Sequence, residues 1–279
     1  MKRKISFQGE LGANSHLACR SVYPDLEPLA CPTFEDAFAA VTDGDAALAM
    51  IPIENSTAGR VADVHHLLPE GGLYIVAEHF QPIRHQLMAP PGATLEGLTR
   101  VRSHPQALGQ CRKSLRAMGL EAIKTGDTAG AAREVAELGD KTQGALASAL
   151  AAEVYGLEIL KPDMADAAHN TTRFIVLAPE PDDADKESGP CVTSFVFRVR
   201  NVPAALFKAL GGFATNGVNI TKLESYLVEG SFSASQFYAD VEGHPDERSV
   251  QLALQELKFF SAELTVLGVY PAHSYRRTT

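Results

Sequence analysis

The run His169-Asn170-Thr171-Thr172-Arg173-Phe174 sets two hydroxyls, an amide and a permanent cation at the mouth of the apolar stretch Ile175-Val176-Leu177. Donors held there by a rigid strand suit an anionic small molecule better than a packed core. Similar groups occur upstream. Ile51-Pro52-Ile53-Glu54-Asn55-Ser56-Thr57-Ala58-Gly59 follows a buried-strand pattern and precedes a helical one. Asn55 and Ser56 there read as N-caps, with backbone N–H groups pointing out of the helix start. Ser103-His104-Pro105-Gln106 opens another helix, with Gln110 about one turn on; His104 suits either a general acid or a cap neighbour. Asp127-Thr128 and Ser148 supply further hydroxyls at helix starts. Each group alone reads equally well as structure: a cap, a surface ion pair, a core phenylalanine. Together they describe a cleft walled by helix N-termini, hydroxyls and one arginine, which is chemistry for binding carboxylates.

Other chemistries find less support. No paired carboxylates, metal-ligand triad or Ser-His-Asp order is evident, so no metal is expected. His65 and His66 are adjacent, and one helix face cannot direct both at one metal. Gly9-x-x-Gly12 sits in a strand-to-helix loop but lacks the glycine spacing of a dinucleotide fingerprint. The four cysteines are scattered without a Cys-x-x-Cys pair, as expected of reduced, buried thiols.

The elements that must position these residues divide at 179–190, a segment of prolines, glycine and charge that cannot build a core. Within it Glu180, Asp182, Asp183, Asp185 and Glu187 stand against Lys186 alone, so part of the net charge of −9 is local. That balance argues against nucleic acid as a partner. A chain of 279 residues has room for two or three lobes. No apolar run reaches membrane-spanning length, and the charged start leads into no hydrophobic signal core. A cytoplasmic protein with no membrane partner is expected.

Before the linker, short apolar runs alternate with helical patterns: strands at 4–7, 46–51, 74–80, 83–88, 101–103 and 144–147. Helices are expected from about Ser15, over 57–68, over 104–118, from Asp127 or Thr128 to Leu138, and after Ser148. This alternation argues for α/β layers with parallel pairing. The strand after Thr172 comes late and is a candidate to return to the first lobe. After the linker the pattern changes to a half-buried strand at 195–199, a helix at 203–214 and two strands at 218–228 and 232–241 joined at Glu229-Gly230. A helix at 246–260 and a strand at 264–270 follow. The order βαββαβ is the ferredoxin-like split arrangement.

In this order the motifs resemble a bacterial prephenate dehydratase with a C-terminal ACT regulatory domain, over nearly the whole chain. The resemblance rests on Gly9-x-x-Gly12, Ile51-Pro52-Ile53-Glu54-Asn55-Ser56, His104-Pro105-Gln106-Ala107-Leu108-x-Gln110-Cys111, Asp127-Thr128-Ala129, Ala147-Ser148 and Asn170-x-Thr172-Arg173-Phe174. It implies a catalytic domain over 1–178, two α/β lobes like a type II periplasmic binding protein with the site between them. A linker over 179–190 and an ACT domain over 191–279 complete it. The implied reaction converts prephenate to phenylpyruvate, carbon dioxide and water without metal or organic cofactor. Thr172 is then the catalytic residue by position. Asn55, Ser56, His104, Gln110, Thr128, Ser148, Asn170, Arg173 and Phe174 are expected to bind substrate, with Arg173 orienting a carboxylate.

The ACT resemblance implies L-phenylalanine as effector, held by Ala205, Leu206, Asn219, Glu224 and Ser225, and a homodimer or homotetramer. The family's Gly-Ala-Leu-Val stretch appears here as Ala204-Ala205-Leu206-Phe207, and its Glu-Ser-Arg-Pro stretch as Glu224-Ser225-Tyr226-Leu227. Both departures bear on effector binding. Two rivals stay open: an arogenate dehydratase, and a non-catalytic amino-acid sensor whose lobes close without chemistry.

Overall fold

The computed structural model describes residues 3–167, 169–200, 202–227 and 235–277. In chain order the first elements are β1 (Lys4–Gln8), α1 (Asn14–Val22), β2 (Glu27–Cys31), α2 (Phe34–Thr42), β3 (Leu48–Asn55), β4 (Gly59–Arg60), α3 (Ala62–Leu67), β5 (Tyr74–Pro82) and β6 (Gln86–Ala89). Next come β7 (Arg100–Ser103), α4 (Pro105–Gln110), α5 (Arg112–Ala117), β8 (Glu121–Lys124), α6 (Thr128–Leu138), β9 (Gln143–Ala147), α7 (Ala149–Tyr155), β10 (Glu158–Lys161) and β11 (Thr171–Ala178). The last are β12 (Cys191–Val199), α8 (Ala205–Thr215), β13 (Ile220–Leu227), β14 (Ser235–Glu242), α9 (Arg248–Phe260) and β15 (Ser261–Pro271). They form two compact units, one of Met1–Val61 with Phe80–Phe174, the other of Ala62–His79 with Ile175–Thr279. β5 and β11 each give residues to both.

The first unit holds two sheets. In one, β1 pairs in parallel with β2 and β3, and β11 lies beside β3. Buried Ile5, Phe7, Ile51 and Ile53 hold its centre. The late strand after Thr172 therefore does return to the first sheet. The other sheet runs β10-β6-β9-β7-β8, with β7 parallel to β8 and β9 and β6 antiparallel to β9 and β10. Helix α6 covers β9 and β7 through Ala131, Ala132 and Val135, small enough for close approach to the sheet.

The second unit carries the antiparallel sheet β13-β14-β12-β15, the ferredoxin-like order expected from βαββαβ. Helices α8 and α9 pack on one face over Phe195, Phe197, Phe213 and Phe237. β12 is buried on both faces along most of its length, not half-buried. Part of the reason is the other face, which carries a buried polar cluster. Ser194 Oγ donates to Asp240 Oδ1 at 2.5 Å, and Arg276 grips Glu78 by Nε at 2.6 Å and by Nη2 at 2.9 Å. At Gly268 a β-carbon would run into the carbonyl of Ile75, so β15 packs directly on backbone there. These contacts are why Ala62–His79 belongs with residues far along the chain.

Several elements differ from the expectation. The helix expected over 57–68 is confined to Ala62–Leu67, because Asn55 ends a strand and Gly59–Arg60 pair back onto β3. The helix expected over 104–118 breaks at Cys111 into α4 and α5. β2, α2, β8 and β10 carried too little periodicity to be anticipated, although Thr33 and Asp36 form a full capping box at α2. The turn expected at Glu229-Gly230, with Val228 and Phe232, lies outside the described residues. All four cysteines are free and buried. No helix among the described residues is long and apolar enough to cross a membrane.

Candidate active site

The first unit holds an open cleft of about 510 Å³. Its walls come from Gln8 and Gly9 at the end of β1, from Ala13, Asn14 and Ser15 at the start of α1, and from Pro52, Asn55, Ala58, Gly59, Arg60 and Val61 along β3, β4 and the residues beside them. Ile83 and His85, then His104, Gln106, Ala107 and Gln110, then Gly126, Asp127 and Thr128, and finally Asn170, Thr172 and Phe174 complete it. Segments distant in the chain thus converge on one space.

Four side chains, three of them from its walls, form a closed hydrogen-bonded ring. Asn55 Nδ2 donates to Asn170 Oδ1 at 2.8 Å, and Asn170 Nδ2 donates to Gln110 Oε1 at 2.9 Å. Gln110 Nε2 donates to Thr57 Oγ1 at 2.7 Å, and Thr57 Oγ1 donates back to Asn55 Oδ1 at 2.8 Å. Every donor points the same way round, an arrangement in which each bond polarises the next. Backbone sets the direction: Asn55 Oδ1 also accepts from the N–H groups of Thr57 and Ala58, each at 3.0 Å. The amide of Asn55 therefore cannot be flipped without facing donors with donors. Its second Nδ2 hydrogen reaches Thr172 Oγ1 at 2.9 Å. With its oxygen accepting that bond, the Thr172 hydroxyl keeps its own proton for the cavity.

Asn55 thus works as the cap of a turn and not of a helix, since strand β3 runs through it. Alternation along β11 sorts its neighbours. Thr172 and Phe174 face the cavity together, while Arg173 points to the opposite side. There Arg173 Nη1 meets Glu54 Oε1 at 3.0 Å, with its side chain 3% exposed. Arg173, expected to orient a carboxylate, is paired with Glu54 of β3 and is not among the residues that line the cavity.

Ser56 and Ser148, also expected to bind substrate, likewise are not among the lining residues and have structural partners. Ser56 bridges to Thr171, its N–H donating to the Thr171 carbonyl at 2.9 Å and its Oγ accepting from the Thr171 N–H at 3.0 Å. Ser148 caps α7 and donates to the carbonyl of Gly12 at 2.6 Å. Gly12 has φ +88°, and a β-carbon on it would sit 2.8 Å from Ala151 Cα, so only glycine permits this approach. Thr128 stands at the cavity in the first turn of α6, capped by Asp127, and His104 lines it while capping α4 through Nδ1.

Sequence reasoning missed Arg60, His85, Asn14 and Gln106. Arg60 gives the wall the cation that Arg173 does not. Helix α1 begins at the cavity with no side-chain cap, so its first N–H groups offer partial positive charge to an anion. The cavity therefore suits an anionic, partly apolar molecule, with Ile83, Ala107 and Phe174 as its non-polar surface. Among the described residues no cluster of histidine, cysteine and carboxylates could hold a metal ion.

His85 is 3% exposed, and its Nε2 lies 2.7 Å from Gln110 Oε1. Burial lowers its pKa below the usual histidine range. The unfolded chain therefore binds a proton that the folded one refuses, between the folded value and about 6.5. This contribution to stability is complete above about pH 6.5 and is lost as pH falls towards the folded value. Urea unfolding of the wild type and His85→Gln across pH 5–8 should show the wild type losing stability relative to the variant only below about pH 6.5. A difference independent of pH would contradict this.

The prephenate dehydratase family model matches residues 5–182. A bifunctional N-acyl-homoserine lactone acylase/prephenate dehydratase of Komagataeibacter europaeus is 52% identical over 276 residues, covering 99% of this chain and 98% of that protein. Arogenate dehydratase/prephenate dehydratase 1, chloroplastic, of Arabidopsis thaliana is 39% identical over 284 residues, covering 97% of this chain and 72% of that protein. Among solved structures, a prephenate dehydratase from Arthrobacter aurescens in complex with L-Phe superposes with a TM-score of 0.89 at 28% identity, covering 96% of this chain and 90% of that one. With its cavity, its hydroxyl and its fold accounted for together, the chain belongs to the prephenate dehydratase family.

Proposed function

We propose that this protein converts prephenate to phenylpyruvate, carbon dioxide and water. The observation that carries the reading is the bond from Asn55 Nδ2 to Thr172 Oγ1, which leaves the Thr172 proton free to donate. Loss of carboxylate and ring hydroxide aromatises the ring, so the driving force lies in the substrate. The protein's task is to hold a dianion and to ease departure of a poor leaving group. An alcohol is too weak an acid to protonate it outright. Thr172 instead donates a hydrogen bond that strengthens as negative charge grows on the departing oxygen. The bond from the ring to the departing carboxylate breaks as carbon dioxide leaves; its electron pair closes the aromatic ring and expels the ring hydroxyl as hydroxide, which takes up one solvent proton (H+) to become water. Arg60 and the open first turn of α1 hold the carboxylates, Phe174 and Ile83 the ring.

A phenylpyruvate absorbance assay tests this. Thr172→Ala should lower kcat by about two to three decades with KM little changed, and Thr172→Ser should stay within about tenfold of wild type. Near-wild-type kcat in Thr172→Ala would remove Thr172 from the chemistry.

Two further substrates deserve assay on the same protein. Arogenate is suggested by the 39% identical plant relative, named an arogenate dehydratase/prephenate dehydratase, and the ratio of kcat/KM values decides between it and prephenate. The relative at 52% identity is also named an acyl-homoserine lactone acylase. For this chain the dehydration is the better supported reading, because no histidine ring is bonded to a serine or threonine hydroxyl among the described cavity residues.

We further propose that residues 1–178 catalyse, 179–190 link, and 191–279 form an ACT domain that pairs side by side in a cytoplasmic homodimer or homotetramer and binds L-phenylalanine. The βαββαβ sheet supports the domain reading, and the Arthrobacter relative binds L-Phe. Ala204 adopts φ 58° and ψ 25°, a left-handed conformation that glycine takes freely and alanine does not. It stands where the family pattern places glycine, next to buried Ala205. Of the other effector candidates, Leu206 and Glu224 are half-buried, and Asn219 and Ser225 are exposed. Glu224 Oε1 lies 3.2 Å from Lys222 Nζ. Isothermal titration should detect phenylalanine binding at millimolar concentration or below, and Ala204→Gly should bind it more tightly. Absence of heat at millimolar ligand would contradict the effector assignment.

A further inference from the structure

We propose that His85 is a positioning residue that holds Gln110 in place and so steadies Asn170, Asn55 and the Thr172 hydroxyl behind it. The inference rests on the dehydratase reading and deepens it. His85 touches no group of the reaction in this scheme; it acts on the amide of Gln110. Because Gln110 Nε2 is committed to Thr57, whose own proton is committed to Asn55, Gln110 must present Oε1 to His85 and Asn170. The partner of Oε1 at 2.7 Å must then be a donor, so His85 carries its proton on Nε2. His85 Nδ1 is buried and has no hydrogen-bond partner among the described residues, consistent with a bare lone pair there. Burial, which disfavours the charged ring, keeps that nitrogen unprotonated.

The consequence runs round the ring. With two donors on Oε1, the Gln110 amide has one acceptable orientation. Remove the His85 donor, and the ring keeps its direction, which backbone sets at Asn55, but Gln110 Oε1 loses one of its two donors. Gln110 is then held only by Thr57 and Asn170. Asn170 and Asn55 lose a firmly held neighbour in turn, and the bond from Asn55 Nδ2 to Thr172 Oγ1 is held less firmly.

His85→Met removes the donor at similar volume, and His85→Gln restores an N–H near the position of Nε2. Steady-state assays on prephenate should show kcat lowered about tenfold in His85→Met with KM little changed, the effect of losing one hydrogen bond's orientation. His85→Gln should recover kcat to within about threefold of wild type. A role in folding alone would lower active protein in both variants without this split. Nitrogen-15 spectra of histidine-labelled wild type, with the His85 signals assigned by their loss in His85→Gln, should show the Nε2–H tautomer. This readout stands even where His85→Met does not fold. Wild-type kcat in a folded His85→Met, or an Nδ1–H tautomer, would overturn the positioning role. Wild-type protein inactive on prephenate would overturn the functional reading itself, and with it this role.

Discussion

The ring Asn55–Asn170–Gln110–Thr57 is the constraint on which the site depends. Amides are directional at both ends, so one fixed member fixes the rest. Here the fixed member is Asn55, held by two backbone N–H groups in a turn that follows a buried strand. The ring therefore inherits its orientation from the fold and transmits it to one hydroxyl. A half-buried polar network that is fully paired is rigid; one partner short, it would be costly and mobile. That contrast explains why a weak acid such as threonine can serve: its geometry is settled before substrate arrives, and no reorganisation is needed as charge develops.

The strand β11 shows how closely function and structure are interleaved. Consecutive residues point to opposite faces, so Thr172 and Phe174 share the cavity while Arg173 serves the packing. The buried Arg173–Glu54 pair joins the strand carrying Thr172 to the strand carrying Asn55. Ser56 and Thr171 make the same connection by backbone and hydroxyl. Residues beside the reactive groups thus hold the two strands in register, which keeps the Asn55–Thr172 distance within hydrogen-bonding range.

Much of this was readable in the sequence. The βαββαβ order follows from periodicity, and Asn55, Gln110, Thr128, Asn170 and Thr172, singled out as polar groups at element ends, line the cavity. Arg173 was expected at the substrate and is paired with Glu54; in a strand it cannot face the same way as Thr172. Ser148 was expected at the substrate and caps α7; a cap and a ligand-binding hydroxyl have the same local sequence, and its bond to the carbonyl of Gly12 involves a residue far away in the chain. His85 and Arg60 carry no motif; their roles arise from partners distant in the chain. The same holds for Ala62–His79, whose membership in the second unit depends on Arg276 and Gly268, far along the chain and beyond any local pattern.

The central claim is that Asn55 and Thr172 act as one unit in the chemical step. A double-mutant cycle in kcat, comparing Asn55→Ala, Thr172→Ala and the pair on prephenate, tests it most directly. The account predicts that the double variant is no slower than Thr172→Ala alone, because Asn55 acts only by orienting that hydroxyl. Losses that multiply would contradict it and assign Asn55 an independent role.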